Sequence, residues 1–123
     1  MSLAKMVMLV LLICLVFSAY AIAAEERVGT ASWYWGFVIA GNKFYVNGHY
    51  AAMWGVPLGT RVKVTNLENS RSIVVIINDR GPNKRLVAKG RIIDLAAKAF
   101  YDLTGSFKSG PIKVKVEIGN GNE

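Results

Sequence analysis

The chain has almost no cysteine or histidine, with one of each among its 123 residues. Cys14 lies inside an N-terminal apolar run, so the rest of the chain can form neither a disulfide nor a cysteine-ligated metal site. His49 has no acidic residue near it in the sequence, and a lone histidine is not a metal site by spacing. Nucleotide and redox motifs are missing too. We therefore predict no metal and no cofactor.

Acidic residues are also few: eight against fifteen basic ones, which gives a net charge of +7. Such a charge favours anionic partners, which outside the cytoplasm are acidic glycans, membrane surfaces and stray nucleic acid. A soluble surface without any charge-dependent partner explains the composition equally well. The longest basic stretch runs from Lys84 to Arg91, and we predict that it is a solvated loop.

The N-terminus has the order of a secretory signal peptide. Lys5 precedes an apolar run from Met6 to Phe17, and small residues follow up to Ala24. The alternative is a membrane anchor, which needs about 20 apolar residues. We predict a signal peptide at 1–24, no stable membrane span after processing, and a location in the periplasm, the cell envelope or outside the cell. Leu12 and Ile13 before Cys14 are not the small residues that normally precede an acylated cysteine, so a lipid anchor is not expected.

The remaining 99 residues, 25–123, are enough for one domain with a net charge of +6. Helical spacing predicts a helix that Asp94 caps and Gly105 ends. Several short strands around one short helix indicate a small all-β domain, and a closed barrel would leave no exposed strand edge. The predicted strands lie at 28–37, 61–66, 72–77, around 92–93 and at 111–118, with a loop or hairpin over Asn47-Gly48.

The first candidate for chemistry is Asp79. It follows the β-branched run 72–77, which we predict to be a strand with both faces covered, and it precedes the turn residues Arg80-Gly81-Pro82. An acid at the end of a buried strand has a rigid base and an open side, which is where sites are usually built. In the purely structural alternative, Asp79 accepts backbone hydrogen bonds and pairs with an arginine across the turn.

Four motifs in order resemble the rare lipoprotein A (RlpA) family of bacteria over about residues 28–118. They are Gly29-Thr30-Ala31-Ser32-Trp33-Tyr34, the segment from Leu58 to Leu67, Ile77-Asn78-Asp79-Arg80-Gly81-Pro82, and Gly90-Arg91-Ile92-Ile93-Asp94-Leu95. The resemblance implies a six-stranded double-psi β-barrel, as in expansins, and peptidoglycan as the target. It also implies a lytic transglycosylase that cleaves MurNAc–GlcNAc bonds in strands lacking stem peptides and leaves anhydro-muramic ends.

A single carboxyl can serve that reaction, because the attacking group is the muramic acid's own hydroxyl and not water. Asp79 matches the family motif and could act first as the acid and then as the base. A muramic acid without its peptide has a free carboxylate that basic side chains can hold. The candidates for that contact are Lys43, Arg61, Arg80, Lys84, Arg85 and Arg91.

The chain departs from the family pattern at two positions. The family has a proposed catalytic glutamate, whose place falls here on His49 or Asn42, and a histidine, whose place is taken by Met53. We therefore assign catalysis to Asp79, with His49 as a possible second proton-transfer group. The predicted substrate-binding residues are Tyr34, Trp35, Lys43, Tyr45, Asn78, Arg80 and Arg91.

Two other classes of function stay open. One is a non-catalytic, expansin-like glycan-binding module in which aromatic rings stack on sugars, namely Trp33, Tyr34, Trp35 and Tyr45. The other is a structural component of an envelope complex, for which the residues offer no positive sign. For the chain as a whole we predict a monomer that binds peptidoglycan strands and not nucleic acid.

Overall fold

The structure is a computed structural model that describes residues 1–22, 25–34, 48–107 and 110–119, without the side chains of residues 14–22. The first element, α1, is the helix Leu3–Ile22. Within the described ranges, no helix is both long enough and apolar enough to cross a membrane.

Six strands form a closed barrel in the order β1-β5-β2-β4-β3-β6. The pairs β1–β5 and β2–β4 are parallel, and the other four pairs are antiparallel. The expected six-stranded barrel is therefore confirmed, and in the closed order both edges of each of these six strands are paired. The strands are β1 Glu25–Tyr34, β2 Tyr50–Ala52, β3 Arg61–Asn66, β4 Ser72–Asp79, β5 Arg91–Ala96 and β6 Ile112–Ile118.

The alternating pattern of the strands fills the barrel. Every second residue of β3 and β6 points inward, and all of these except Asn66 are apolar, so Val62, Val64, Val114 and Val116 are buried while the charged residues between them stay on the outer face. The helix α3, Ala97–Thr104, adds Phe100 to this core. The strictly alternating strand at the C-terminus is thus confirmed, and one continuous core supports all six strands.

The prediction that the β-branched run 72–77 is covered on both faces is wrong. Val75 and Ile77 are buried, but Val74, which precedes them in the strand, is 38% exposed. In a small barrel only the inner face of a strand is packed, so β-branched residues on the outer face contact solvent. Asp79 still lies at the end of this strand.

Two further expectations are corrected. The basic stretch contains a short helix, α2 Lys84–Ala88, whose N-cap Asn83 accepts a hydrogen bond from the Arg85 amide at 3.0 Å. Asp94 does not cap α3: it lies within β5, because that strand continues to Ala96, the N-cap residue, which makes no side-chain capping bond.

Gly105 ends α3 in a left-handed conformation, as predicted. The predicted continuation of β1 to residue 37 and the turn residue Asn47 lie outside the described residues.

Candidate functional site

Asp79 and Asp94 lie on either side of the same residue. Ala52 of β2 is in register with Asp79 of β4 and also with Asp94 of β5. Neighbouring strands are about 4.8 Å apart, so two strand spacings, roughly 10 Å at most, separate the two aspartate Cα atoms. The barrel therefore brings together two carboxyls that are 15 positions apart in the sequence.

Only one oxygen of the Asp79 carboxyl makes a hydrogen bond to a described residue. Its Oδ1 accepts a hydrogen bond from the Arg80 amide at 2.7 Å, whereas Oδ2 has no hydrogen bond to any described residue. No cation among those residues lies within ion-pair distance of it. The predicted alternative, an arginine paired with Asp79 across the turn, is therefore not observed, and one oxygen of this half-buried group is available for chemistry.

Arg80 instead holds the segment that follows β2. Its Nη1 donates to the backbone oxygens of Met53 at 3.1 Å and Val56 at 2.5 Å. The Met53 amide in turn donates to the backbone oxygen of Asp79 at 3.1 Å. Successive residues of an extended strand point to opposite faces, so Arg80 can bind this segment without pairing with the Asp79 carboxyl.

Asp94, the other member of the pair, is half-buried as well. Its nearest cation is Arg91, with 3.8 Å between Nε and Oδ1, and Oδ1 is buried without a hydrogen-bond partner among the described residues. Burial raises the pKa of Asp94, and the positive charge of Arg91 opposes that rise. Gly81 covers this position, because a Cβ at Gly81 would lie 3.2 Å from the Ala52 methyl and 3.8 Å from the Asp94 Oδ2.

Tyr34 completes the group. It ends β1 two residues after Ser32, which is in register with Asp94. Burial raises the pKa of its phenol, and the negative charges of Asp79 and then Asp94 raise it further. The phenol therefore lies within electrostatic reach of both carboxyls, and we refer to Tyr34, Asp79 and Asp94 as the carboxyl cluster.

Asn78 and Arg91 border the carboxyl cluster. Asn78 precedes Asp79 in β4, and its Oδ1 is buried without a hydrogen-bond partner in the described part of the chain. A buried acceptor without a donor is costly, and such groups in native structures need an explanation. The predicted roles of both residues in substrate binding stay predictions.

The imidazole of His49 contacts Asp102 and makes no hydrogen bond to Asp79. Its Nε2 lies 2.6 Å from Oδ2 of Asp102 in α3, and Lys98 lies 3.2 Å from the same oxygen. The hydrogen bond from His49 and the neighbouring Lys98 lower the pKa of Asp102, against a smaller effect of burial. Along β4, the His49 backbone oxygen accepts from the Ile76 amide, three residues before Asp79. Proton transfer by His49 stays a prediction, and the geometry separates it from Asp79.

The predicted stacking rings and Lys43 fall into two groups. Trp35, Lys43 and Tyr45 lie outside the described residues. Trp33 packs against the core, with its ring centroid 6.2 Å from that of Phe100 and 5.2 Å from that of Phe107. Its position favours packing over sugar stacking.

Sequence reasoning missed Asp94 and Trp54 as members of this region. A usable signal existed for Asp94, because Ile92-Ile93 precede it much as Ile76-Ile77 precede Asn78-Asp79. Trp54 carried no comparable signal, since an aromatic residue between Met53 and Gly55 is equally typical of a core position. Among the residues that the structure describes, no three His, Cys, Asp or Glu side chains are placed to hold a metal ion.

Comparison with known sequences finds curated relatives over most of the chain. It is 44% identical over 107 residues to a Synechocystis protein named "Probable endolytic peptidoglycan transglycosylase RlpA", covering 83% of this chain and 32% of that protein. It is 39% identical over 105 residues to the "Endolytic peptidoglycan transglycosylase RlpA" of Pseudomonas aeruginosa, covering 76% of this chain and 28% of that one. The chain thus spans about a third of the length of these relatives.

Among solved structures, the fold is similar to that of the Streptomyces papain inhibitor. The TM-score is 0.58 at 21% identity, and the match covers 78% of this chain and 96% of the inhibitor. This similarity concerns the fold alone and supports the double-psi β-barrel. The family model described as "Lytic transglycolase" matches residues 26–116. This range includes all six strands except the first residue of β1 and the last two of β6. On that match and these relatives, the chain belongs to the RlpA-like lytic transglycosylase family.

Proposed function

We propose that this chain is a peptidoglycan lytic transglycosylase in which Asp79 is the catalytic acid and base. The observation that carries the proposal is the state of this carboxyl. It lies at the end of a barrel strand, with Oδ2 unbonded and no cation paired with it among the described residues. A second carboxyl and a phenol stand beside it.

The proposed reaction needs only one such group. Protonated Asp79 gives its proton to the glycosidic oxygen as the bond from that oxygen to the muramic acid anomeric carbon breaks. The resulting carboxylate then takes the proton of the muramic acid's own hydroxyl as this oxygen bonds to the anomeric carbon. The products are an anhydro-muramic end and a free glycan end, no water is consumed, and Asp79 returns to its starting form.

The neighbours of Asp79 support this cycle. Burial raises the pKa of Asp94, and Tyr34, Asp94 and Asp79 lie on three of the four consecutive strands β1-β5-β2-β4, so two further acidic groups stand near the proposed catalytic carboxyl. The net charge of +7 also suits a substrate with free muramic carboxylates. We propose strands lacking stem peptides as the substrate and the cell envelope as the place of action.

A non-catalytic glycan-binding module is the second candidate. Met53, at the place of the family's histidine, is completely buried, so that position offers no group for proton transfer. The His49 imidazole is bonded to Asp102 and not to Asp79, which favours this alternative. Under this alternative Asp79 would contact the glycan without breaking it.

The deciding experiment incubates the purified protein with peptide-free glycan strands and analyses the products by mass spectrometry. The parent should release fragments with anhydro-muramic ends. Asp79→Asn keeps the shape of the side chain and should lower the rate by about 10²- to 10⁴-fold, the usual contribution of a general acid or base. Glu68→Gln, in the exposed β3–β4 turn, is the matched control and should cleave like the parent. Retention of strands without any anhydro product would reject catalysis and favour the binding module.

A further inference from the structure

An exposed tryptophan stands beside the Asp79 turn. Trp54 is 37% exposed, although a buried tryptophan would contribute more to stability than almost any other side chain. It follows Ala52 by two residues, and the Met53 amide between them donates to the Asp79 backbone oxygen at 3.1 Å. The indole therefore lies next to the strand end that presents the proposed catalytic carboxyl.

The backbone around Trp54 is fixed from several directions. Arg27 of β1 donates to the Trp54 oxygen at 2.9 Å, and Arg80 donates to the oxygens of Met53 and Val56. The indole Nε1 donates to the Pro82 oxygen at 2.6 Å. An aromatic ring held this firmly loses little conformational freedom when a ligand contacts it, which is the arrangement expected of a preorganised binding surface.

Lys84 lies over the same ring. Its Nζ is 5.1 Å from the centroid of the Trp54 ring, and no carboxylate in the described part of the chain pairs with it. A lysine ammonium has three donors, so contact with an aromatic face leaves them free for an anion. In the purely structural alternative, the contact between Lys84 and Trp54 is a surface cation–π interaction that only stabilises the turn. It accounts for Lys84, but not for the indole bond to Pro82 or for the arginine bonds that fix the backbone of the Trp54 segment.

We propose that Trp54 and Lys84 form a subsite for a carboxylate-bearing sugar of the glycan strand. The indole provides an apolar face for the sugar ring, and the ammonium binds the carboxylate. The inference rests on the proposed function, because it places the subsite next to Asp79. It identifies this surface, and not the ring of Trp33, which packs against the core, as the aromatic contact for substrate.

The test measures the affinity of the full chain for peptide-free glycan strands in the Asp79→Asn background, so that cleavage does not interfere. Each variant is measured with native strands and with strands whose muramic carboxyls have been reduced to alcohols. Trp54→Ala should weaken binding to both kinds of strand by roughly 5- to 30-fold, as expected of a central aromatic contact. Lys84→Gln should weaken binding to native strands by about two- to fivefold and leave the reduced strands unaffected.

Lys63→Gln is the matched control for charge. Lys63 is an exposed cation on the outer face of β3, in register with Glu117 and away from the carboxyl cluster. Equal losses for Lys84→Gln and Lys63→Gln would show that only net charge matters, which overturns the subsite. Trp54→Phe keeps a ring and removes only the bond to Pro82, so it should bind more tightly than Trp54→Ala even if the alanine variant is unstable. If Trp54→Ala and Trp54→Phe are both well folded and bind the strands as tightly as the parent, the subsite is also overturned.

The outcomes separate this inference from the proposed function. Anhydro products from the parent together with unchanged affinities in both Trp54 and Lys84 variants reject the subsite and leave catalysis standing. The opposite result, carboxylate-dependent binding through Trp54 and Lys84 without any product, rejects catalysis and leaves the subsite standing.

Discussion

The imidazole Nε2 of His49 lies 2.6 Å from the Oδ2 of Asp102. This contact joins the residue before β2 to the helix α3, and Lys98 shares the same carboxylate at 3.2 Å. Asp102 is thereby held as a carboxylate, because the hydrogen bond from His49 and the charge of Lys98 lower its pKa. The lone histidine thus has a structural partner at a level of the barrel different from that of Asp79.

The first prediction follows from that position. We expect His49→Gln to reduce cleavage of peptide-free strands far less than the 10²- to 10⁴-fold loss expected for Asp79→Asn, because the imidazole is bound away from the Asp79 carboxyl. The rates of parent, His49→Gln and Asp79→Asn would be compared under identical conditions, with thermal melts to check folding. A loss in His49→Gln as large as that in Asp79→Asn would restore the histidine as a proton-transfer group.

The second prediction concerns Asp94. Its folded-state pKa lies above the unfolded value of about 3.9, so between the two values the folded state binds more protons than the unfolded state. Its contribution to stability is therefore fully present below the unfolded pKa and is lost as the pH rises through the folded pKa. The difference in the free energy of unfolding, Asp94→Asn minus parent, should become more positive as the pH rises through this window, as measured by urea unfolding.

Asp102→Asn provides an internal control with the opposite sign. The folded pKa of Asp102 is lowered, so its contribution is present above the unfolded pKa and is lost as the pH falls through the folded pKa. The same difference, Asp102→Asn minus parent, should become more negative as the pH rises through that more acidic window. If both differences moved in the same direction, the environment assigned to Asp94 would be wrong.

The third prediction tests the close approach of β1 and β5. A Cβ at Gly29 would lie 2.5 Å from the Gly90 oxygen, which also accepts a hydrogen bond from the Thr30 amide at 2.9 Å. Because a backbone oxygen cannot move aside cheaply, Gly29→Ala should lower the free energy of unfolding by about 1–3 kcal/mol. Gly119→Ala has nothing within 4 Å of its added methyl and should unfold like the parent. Equal stability of the two variants would contradict the tight β1–β5 register.

Sequence patterns predicted the parts of this fold that depend on local alternation. The period-2 pattern of β6 located its buried face, and Gly105 located the end of α3. The extent of β5 was not predictable in the same way, because Asp94 is as suitable for a helix cap as for a strand. Its place was decided by pairing with Ala52 and Ser32, residues 42 and 62 positions earlier in the chain.

The candidate site was only half predictable for a similar reason. Asp79 could be found from one segment, since a polar turn after an apolar run is a local signal. The association of Asp79 with Asp94 and Tyr34 depends on the strand order β1-β5-β2-β4, which no single segment encodes. Likewise, no local pattern distinguishes the exposed ring of Trp54 from the packed ring of Trp33. Long-range bonds from Arg27 and Arg80 fix the Trp54 segment at the surface.

The last prediction tests the carboxyl cluster as a unit. Burial, Asp79 and Asp94 all raise the pKa of Tyr34, so the folded state keeps the phenolic proton above the ordinary value of about 10, and stability falls as the pH rises past that value. Asp79→Asn and Asp94→Asn should each lower the pKa of Tyr34, because each removes one negative charge near the phenol. The measurement is tyrosinate absorbance during alkaline titration, with a Tyr34→Phe variant to subtract the other tyrosines.

Asp102→Asn removes a carboxylate that does not act on Tyr34 and should leave its titration unchanged. Burial is the largest cause of the raised pKa, so part of the elevation should survive even in the Asp79→Asn, Asp94→Asn double variant. A titration of Tyr34 that is indifferent to Asp79 would place the phenol away from the proposed catalytic group. It would do so without any assay of cleavage, so the geometry of the site can fail this test independently of the proposed reaction.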